Sequence, residues 1–196
     1  FVCPPTIQKF LGPNCEVLVD DLHVLLSPSD NCSLFSALLT TQSPATGTTI
    51  TADQLVEYSV TDEAGNSRTC SVLMEVVDTI SPQITCPVNQ TQLTAIGVCD
   101  TLLLDYTDMV IWSDNCTASV LDMTFTQVPA PLSIVSGNTM IQILVEDPSG
   151  NESTCSFSLV VEDLEAPQIT CPSNQIQATN AACNINLLDF TGDAIA

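Results

Sequence analysis

Apolar and polar residues alternate with period two along much of this chain, and long stretches with the 3.6-residue period of a helix are absent, so the pattern predicts an all-β protein. Val56, Tyr58 and Val60 alternate with polar neighbours up to the turn Thr61-Asp62-Glu63-Ala64-Gly65-Asn66, and Cys70, Val72, Met74 and Val76 share one face of the strand beyond it. The design returns with Ile141, Ile143 and Val145, the turn Asp147-Pro148-Ser149-Gly150-Asn151, and Cys155, Phe157, Leu159 and Val161. Both turns are rich in residues that tolerate left-handed backbone, so each strand pair is expected to close as a hairpin. Upstream, a short I-T-C-P strand stopped by proline belongs near a sheet edge. Second strands are expected over 15–22, 99–106 and 183–190, and a third over 119–127. Many short strands separated by turns predict a two-sheet β-sandwich of immunoglobulin type.

A second, longer period runs through the sequence. The stretch SPQITCP (81–87) returns as APQITCP (166–172), SDNCS (29–33) as SDNCT (113–117), and TDEAGNSRTCSV (61–72) as EDPSGNESTCSF (146–157). Cysteines keep the same step: Cys3, Cys15, Cys32 and Cys70 are followed by Cys86, Cys99, Cys116 and Cys155, then by Cys171 and Cys183, with equivalents 83 to 85 residues apart. A fixed period of this kind is the signature of a tandem array. It divides the chain into a module over 1–78, a second over 79–163 and the start of a third over 164–196, and the sequence reads as a window from a longer array.

Modules of this size bury a limited core and lean on cross-links. Ten cysteines at repeating spacings, one histidine and no C-x-x-C pair favour disulfides over zinc, and with them an extracellular or cell-surface location. Four cysteines per copy allow three connectivities. Because the third copy carries only the first two positions, the expected pairing joins first to second as Cys3–Cys15, Cys86–Cys99 and Cys171–Cys183, with Cys32–Cys70 and Cys116–Cys155 completing the full copies.

Together these marks resemble the hyalin repeat (HYR) domain. They are A-P-Q-I-T-C-P at the module start, a second cysteine 12 or 13 residues later, S-D-N-C near the middle, and the ending V-x-D-x-x-G-N-x-x-T-C-x-x-x-x-V. The resemblance implies immunoglobulin-like extracellular modules, often in tandem, with a role in adhesion or matrix structure and no catalysis.

Charge narrows the partners. Lys9 and Arg68 stand against 23 acidic residues, for a formal charge of −21, which repels phosphate backbones and anionic membranes and favours cations. Nucleic acid is excluded as a partner, and no run approaches the ~20 apolar residues of a membrane span. The links between copies, Asp78-Thr79-Ile80-Ser81-Pro82 and Asp163-Leu164-Glu165-Ala166-Pro167, are short and restricted by proline, so the modules should join end to end with little freedom. That arrangement turns the S-D-N-C loop and the hairpin turn of one module toward the linker from the copy before it. Asp78 should then approach Asp108, Asp114 and Asp147, while Asp163 and Glu165 approach the third copy, including Asp193. Calcium takes six to eight oxygen ligands, so Asp78, Asp108, Asp114, Asp147 and Asp163 are the candidate calcium set, and no other cofactor is required.

Asn31, Asn89, Asn115 and Asn151 each open an N-x-S/T sequon and are the candidate N-glycan sites. His23, the single histidine, is expected on a strand edge, and no nucleophile or acid pair has a catalytic context, so an enzyme is not expected. The function that follows is a structural repeat segment of an extracellular fibril, matrix or surface filament, whose partners are neighbouring modules of the same or identical chains. The alternative is the stalk or ligand-binding part of a cell-surface adhesin.

Overall fold

Two separate hydrophobic cores organise the computed structural model, which describes residues 3–171, 173–186, 188–189 and 191. The first core gathers Val19, Leu22, Ile50, Val56, Tyr58, Val60, Val72 and Met74, and the second is built around Leu103, Tyr106, Ile141, Ile143, Val145, Phe157 and Leu159. Each is the apolar face of an alternating hairpin closed by a layer of shorter strands.

In the first copy the strands are β1 (Thr6–Phe10), β2 (Val17–Leu18), β3 (Leu39–Ser43), β4 (Thr49–Ile50), β5 (Gln54–Thr61) and β6 (Ser67–Val77). They form a four-stranded sheet in the order β1-β6-β5-β3, with β2 and β4 as a separate ribbon. The second copy repeats the plan with β7 (Gln83–Thr85), β8 (Gln90–Leu93), β9 (Thr101–Leu102), β10 (Ile111–Ser113), β11 (Thr124–Val128), β12 (Ile134–Val135), β13 (Asn138–Glu146) and β14 (Glu152–Glu162). Its main sheet runs β11-β13-β14-β8, and the facing layer consists of the ribbons β7-β10 and β9-β12. The hairpins β5-β6 and β13-β14 pair antiparallel as their alternation predicts, and Ile141, Ile143 and Val145 are wholly buried. Burying such a side chain contributes about 1.5 to 3 kcal/mol.

Several expected strands are modified. The I-T-C-P strand is only half of the first element: after Cys86 and Pro87 the chain leaves β10 and continues as β8, which pairs parallel with β14. A parallel first-to-last pairing also joins β1 to β6. The second strand is brief in both copies, because an aspartate stops it. Asp21 caps the helix α1 (Leu22–Leu26) by accepting from the His23 amide at 2.9 Å, and Asp105 accepts the Thr107 amide at 2.9 Å at the start of a 3-10 turn. Asp189 makes the same contact to Thr191 at 2.9 Å, which holds its carboxyl below the usual range through the Thr191 backbone and then its hydroxyl. Phe190, the last residue of the third expected second strand, lies outside the described residues, and no strand occurs among the described residues of 183–189. His23 therefore sits on a helix, where Nδ1 lies 3.0 Å from the Tyr58 hydroxyl and the ring stacks on Phe35. The third strand begins late, after a 3-10 turn over Val120–Asp122.

The disulfides depart most from expectation. Cys3 pairs with Cys70 and Cys86 with Cys155, so first joins fourth within each copy, while Cys15 of the first copy pairs with Cys116 of the second. Cys32, Cys99, Cys171 and Cys183 are unpaired and exposed. The parallel pairing of the first and last strands explains the correction: it sets the first and fourth cysteines across neighbouring strands, which the first-to-second scheme does not. Each first-to-fourth bond closes a loop of nearly 70 residues, for which the chain-entropy estimate is about 4 kcal/mol. Such bonds persist in an oxidising compartment, and the chain is extracellular or on the cell surface.

Candidate metal centre at the module junction

The linker between the copies is docked on the second module. β6 ends at Val77, β7 starts at Gln83, and the turn after β1 lies alongside, with the Leu11 amide donating to the Val77 carbonyl at 2.9 Å. Asp78, the first linker residue, is only 6 % exposed. Its Oδ1 accepts from the Ile80 amide at 3.1 Å and from Asn115 Nδ2 at 3.1 Å, and its carbonyl accepts from Asn151 Nδ2 at 3.2 Å. Asn115 Nδ2 also donates to the Gly12 carbonyl at 3.3 Å, so one side chain of the second module holds both the linker and the turn beside it. Cys15 leaves that same turn to bond Cys116, and Ser153 Oγ fastens the Pro82 carbonyl at 2.6 Å.

Two loops of the second module meet this linker, each shaped by an aspartate that binds its own backbone. Asp114 Oδ2 accepts the amides of Cys116 at 2.9 Å and Thr117 at 2.7 Å, which folds the S-D-N-C loop. Asp147 accepts the amides of Ser149 and Asn151 through Oδ1 and the Asn151 side-chain amide through Oδ2, closing the hairpin turn. Asp147 is 4 % exposed. Together Asp78, Asp114 and Asp147 bring three carboxylate oxygens within 4.8 Å of one another.

Such a cluster favours a cation. Like charges at that separation repel by about 3 kcal/mol per pair at an effective dielectric of ~20. The chain's two basic residues are placed elsewhere, Lys9 in an ion pair with Asp20 at 2.7 Å and Arg68 beside the opposite end of the first module. Among the described residues, Asp114 Oδ1 and Asn115 Oδ1 are also buried with no hydrogen-bond donor. Carboxylates with an additional amide oxygen and no nitrogen or sulfur ligand fit a hard cation of the calcium type.

Three of the five expected metal residues thus converge. Asp108 does not, because the turn that follows Asp105 leaves it exposed on the 3-10 segment Thr107–Met109. Asp163 stands at the downstream end, exposed, with Oδ1 accepting the Glu165 amide at 2.8 Å, the contact Asp78 makes to Ile80. Glu165 turns back to accept the Gly97 amide at 2.6 Å, and Asp193 lies outside the described residues.

The four sequons separate into two kinds. Asn31 and Asn89 are exposed, Asn89 accepting from the Ser158 amide through Oδ1 at 3.0 Å. Asn115 and Asn151 use Nδ2, the atom a glycan would occupy, to hold the linker, each through two contacts that engage both of its hydrogens. Their role as junction donors was hidden under the sequon reading, although both sit next to the acids in the motifs D-N-C and D-x-x-G-N.

A buried glutamine also escaped notice. Gln127, 5 % exposed, donates to the Leu104 and Pro129 carbonyls and accepts the Tyr106 amide, while Gln42 makes the same three contacts with Asp20, Pro44 and Leu22. The visible signal is T-Q-S-P-A (41–45) against T-Q-V-P-A (126–130), within stretches that otherwise align poorly.

The HYR domain model matches residues 77–161. The chain is 36 % identical over 140 residues to hyalin of Lytechinus variegatus and 28 % identical over 141 residues to hyalin of Strongylocentrotus purpuratus. Each match covers 69 % of this chain but only 25 % and 11 % of those relatives, so the chain spans a quarter of their length or less. Among solved structures it is similar to mouse cadherin-23 EC22-24, with a TM-score of 0.40 at 12 % identity over 82 % of this chain and 64 % of that one. The protocadherin gammaB4 extracellular domain gives 0.38 at 11 % identity over 87 % and 33 %. Residues 77–161 are an HYR domain, and the chain that carries it is similar to the hyalins.

Proposed function

We propose that this chain is a structural stretch of an extracellular fibril, matrix or surface filament, in which HYR modules are joined into a stiff rod by junctions that bind calcium. The coarser statement is that it is an extracellular module of the adhesion or matrix class. The observation that carries the finer one is the docked linker: Asp78 is buried between two loops of the next module, beside a covalent bond from Cys15 to Cys116. Asp78, Asp114, Asp147 and the Asn115 side-chain oxygen are the residues that would hold the ion. Bound there, the ion would offset the repulsion among the acids and tie the linker to both loops at once.

Neighbouring modules are the partners this reading supplies, and it assigns no catalytic role to any residue. Electron microscopy of the native material tests it. Uniform filaments with an axial repeat of one or two modules are expected. Discrete, monomeric rods that capture a separate ligand would replace it with the adhesin-stalk reading.

A further inference from the structure

We propose that the disulfide between Cys15 and Cys116 is one rung of a continuing ladder, in which the second cysteine of every copy bonds the third cysteine of the copy that follows it. Cys99 is then a half-cystine whose partner is the third-position cysteine of the next module, and Cys32 is bonded to the second-position cysteine of the module before. The proposal rests on the tandem-array reading and is independent of the metal.

The four unpaired cysteines are not a random remainder. Cys99 and Cys183 are the equivalents of Cys15, and Cys32 is the equivalent of Cys116, so three of the four occupy the two positions that join modules in the one junction described on both sides. Cys171 is the equivalent of Cys3 and Cys86, the position that bonds the fourth cysteine of its own copy. An interior module therefore uses all four cysteines: one bond within itself, one to the copy before and one to the copy after.

Both halves of the rung are already shaped where no bond exists. Cys15 sits in a turn where the Gly12 amide donates to Glu16 O at 3.0 Å and the Cys15 amide to Gly12 O at 2.9 Å, with φ of 57°. The unpaired Cys183 repeats this, with Asn180 to Asn184 at 3.0 Å, Cys183 to Asn180 at 2.9 Å and φ of 58°. The unpaired Cys32 lies in the loop held by Asp30 Oδ2 through the amides of Cys32 at 2.9 Å and Ser33 at 2.8 Å, as Asp114 holds Cys116. In the second copy the loop is one residue longer, its turn closes from Val98 to Ala95 with Gly97 taking the left-handed conformation, and Cys99 follows it, exposed. The glycine absorbs the extra residue at no steric cost.

Each rung forms by thiol–disulfide exchange with a disulfide-carrying oxidoreductase of the export route. The two module thiols lose their protons and two electrons, one S–S bond forms between modules, and the enzyme's disulfide is reduced to its dithiol.

Disulfide mapping of the native protein tests the ladder. Free thiols are blocked at acid pH before digestion without reduction, and cross-linked peptides are identified by mass spectrometry. The expected result is the Cys99 peptide joined to a peptide with the D-N-C motif from the following copy, and the Cys32 peptide joined to a second-position cysteine. Alkylated Cys99 in the majority of molecules, or Cys99 joined to Cys86 or Cys116 of its own copy, overturns the proposal. Connectivity is read here regardless of shape, so the ladder can fail while filaments are still seen, and filaments can fail while the ladder stands.

Discussion

The two upstream ends of the modules carry the same groups in different surroundings. At the second module Asp114 and Asp147 meet Asp78, two of the three acids are buried, and Cys116 is bonded. At the first module the equivalent Asp30 keeps both amide contacts of its loop and Asp62 both Asn66 contacts of its turn, yet Asp30 is exposed, Asp62 is only half-buried, and Cys32 is unpaired. The loops are therefore self-shaped, and the arriving linker completes the acidic cluster. The proposed cation centre would belong to the junction and to neither module alone.

The largest separation of the two ends comes from the disulfides. Removing Cys86–Cys155 with Cys86→Ser and Cys155→Ser should destabilise the second module by about 2 to 5 kcal/mol, read as a lower denaturant midpoint. Removing Cys15–Cys116 should leave both cores folded, since neither depends on it, and broaden the angle between modules in single-particle images. Loss of folding in that second variant would mean that the copies are not independent units.

Within this stretch of sequence, calcium should act at the junction where Asp78 meets the second module. At a free concentration 100 times its Kd, an ion bound to the folded junction adds about 2.7 kcal/mol, seen as a rise in Tm that chelation reverses. Asp78→Asn with Asp147→Asn should abolish that rise, whereas Asp30→Asn with Asp62→Asn should leave it intact. Equal losses in both variants, or no rise at all, would remove the ion from the junction.

Glycopeptide analysis sharpens the contrast without perturbing the fold. In a host that makes N-glycans, occupancy is expected at Asn89 and none at Asn115 or Asn151. A glycan on Asn115 is incompatible with its Nδ2 contacts to Gly12 and Asp78, and finding one would show that the linker does not dock as described.

The smallest effect is with pH at the upstream end of the first module. Asp62 is held below its ordinary value of 3.8 by the Asn66 side chain and then its amide, and Asp30 by the Cys32 and Ser33 amides, against some repulsion of Asp62 by Asp30. A carboxyl whose folded value is depressed contributes stability above its unfolded value, and that contribution disappears as pH falls from near 4 through the folded value. Exposure and screening keep it small. Carboxyl NMR should place Asp62 below 3.8 in the wild type and nearer to it in Asn66→Ala.

The comparison also shows what could be read in the sequence. The hairpins were legible because alternation and turn residues are local, and Ile141, Ile143 and Val145 point inward as their period requires. The convergence of Asp78, Asp114 and Asp147 was legible once the termini were placed at opposite ends. Disulfide partners were not, because pairing depends on which strands become neighbours, and the parallel β1-β6 contact leaves no local mark. The short second strands had a mark that alternation overrode: the aspartates at 21, 105 and 189 bind the backbone two residues on. The second use of Asn115 and Asn151, as junction donors, was not legible because a sequon and a junction donor look alike until the linker arrives.

The first-to-fourth disulfides have a mechanical consequence. When the chain is pulled lengthwise, the bond from Cys86 to Cys155 carries the load past nearly the whole second module, and Cys3 to Cys70 does so for the first. A module that melted under tension could not pay out its length. Only the stretch from Cys70 to Cys86 would be drawn straight, to about 55 Å at full extension. The Cys15–Cys116 bond then braces one shielded loop against the next, and the chain behaves as a cable with almost no slack.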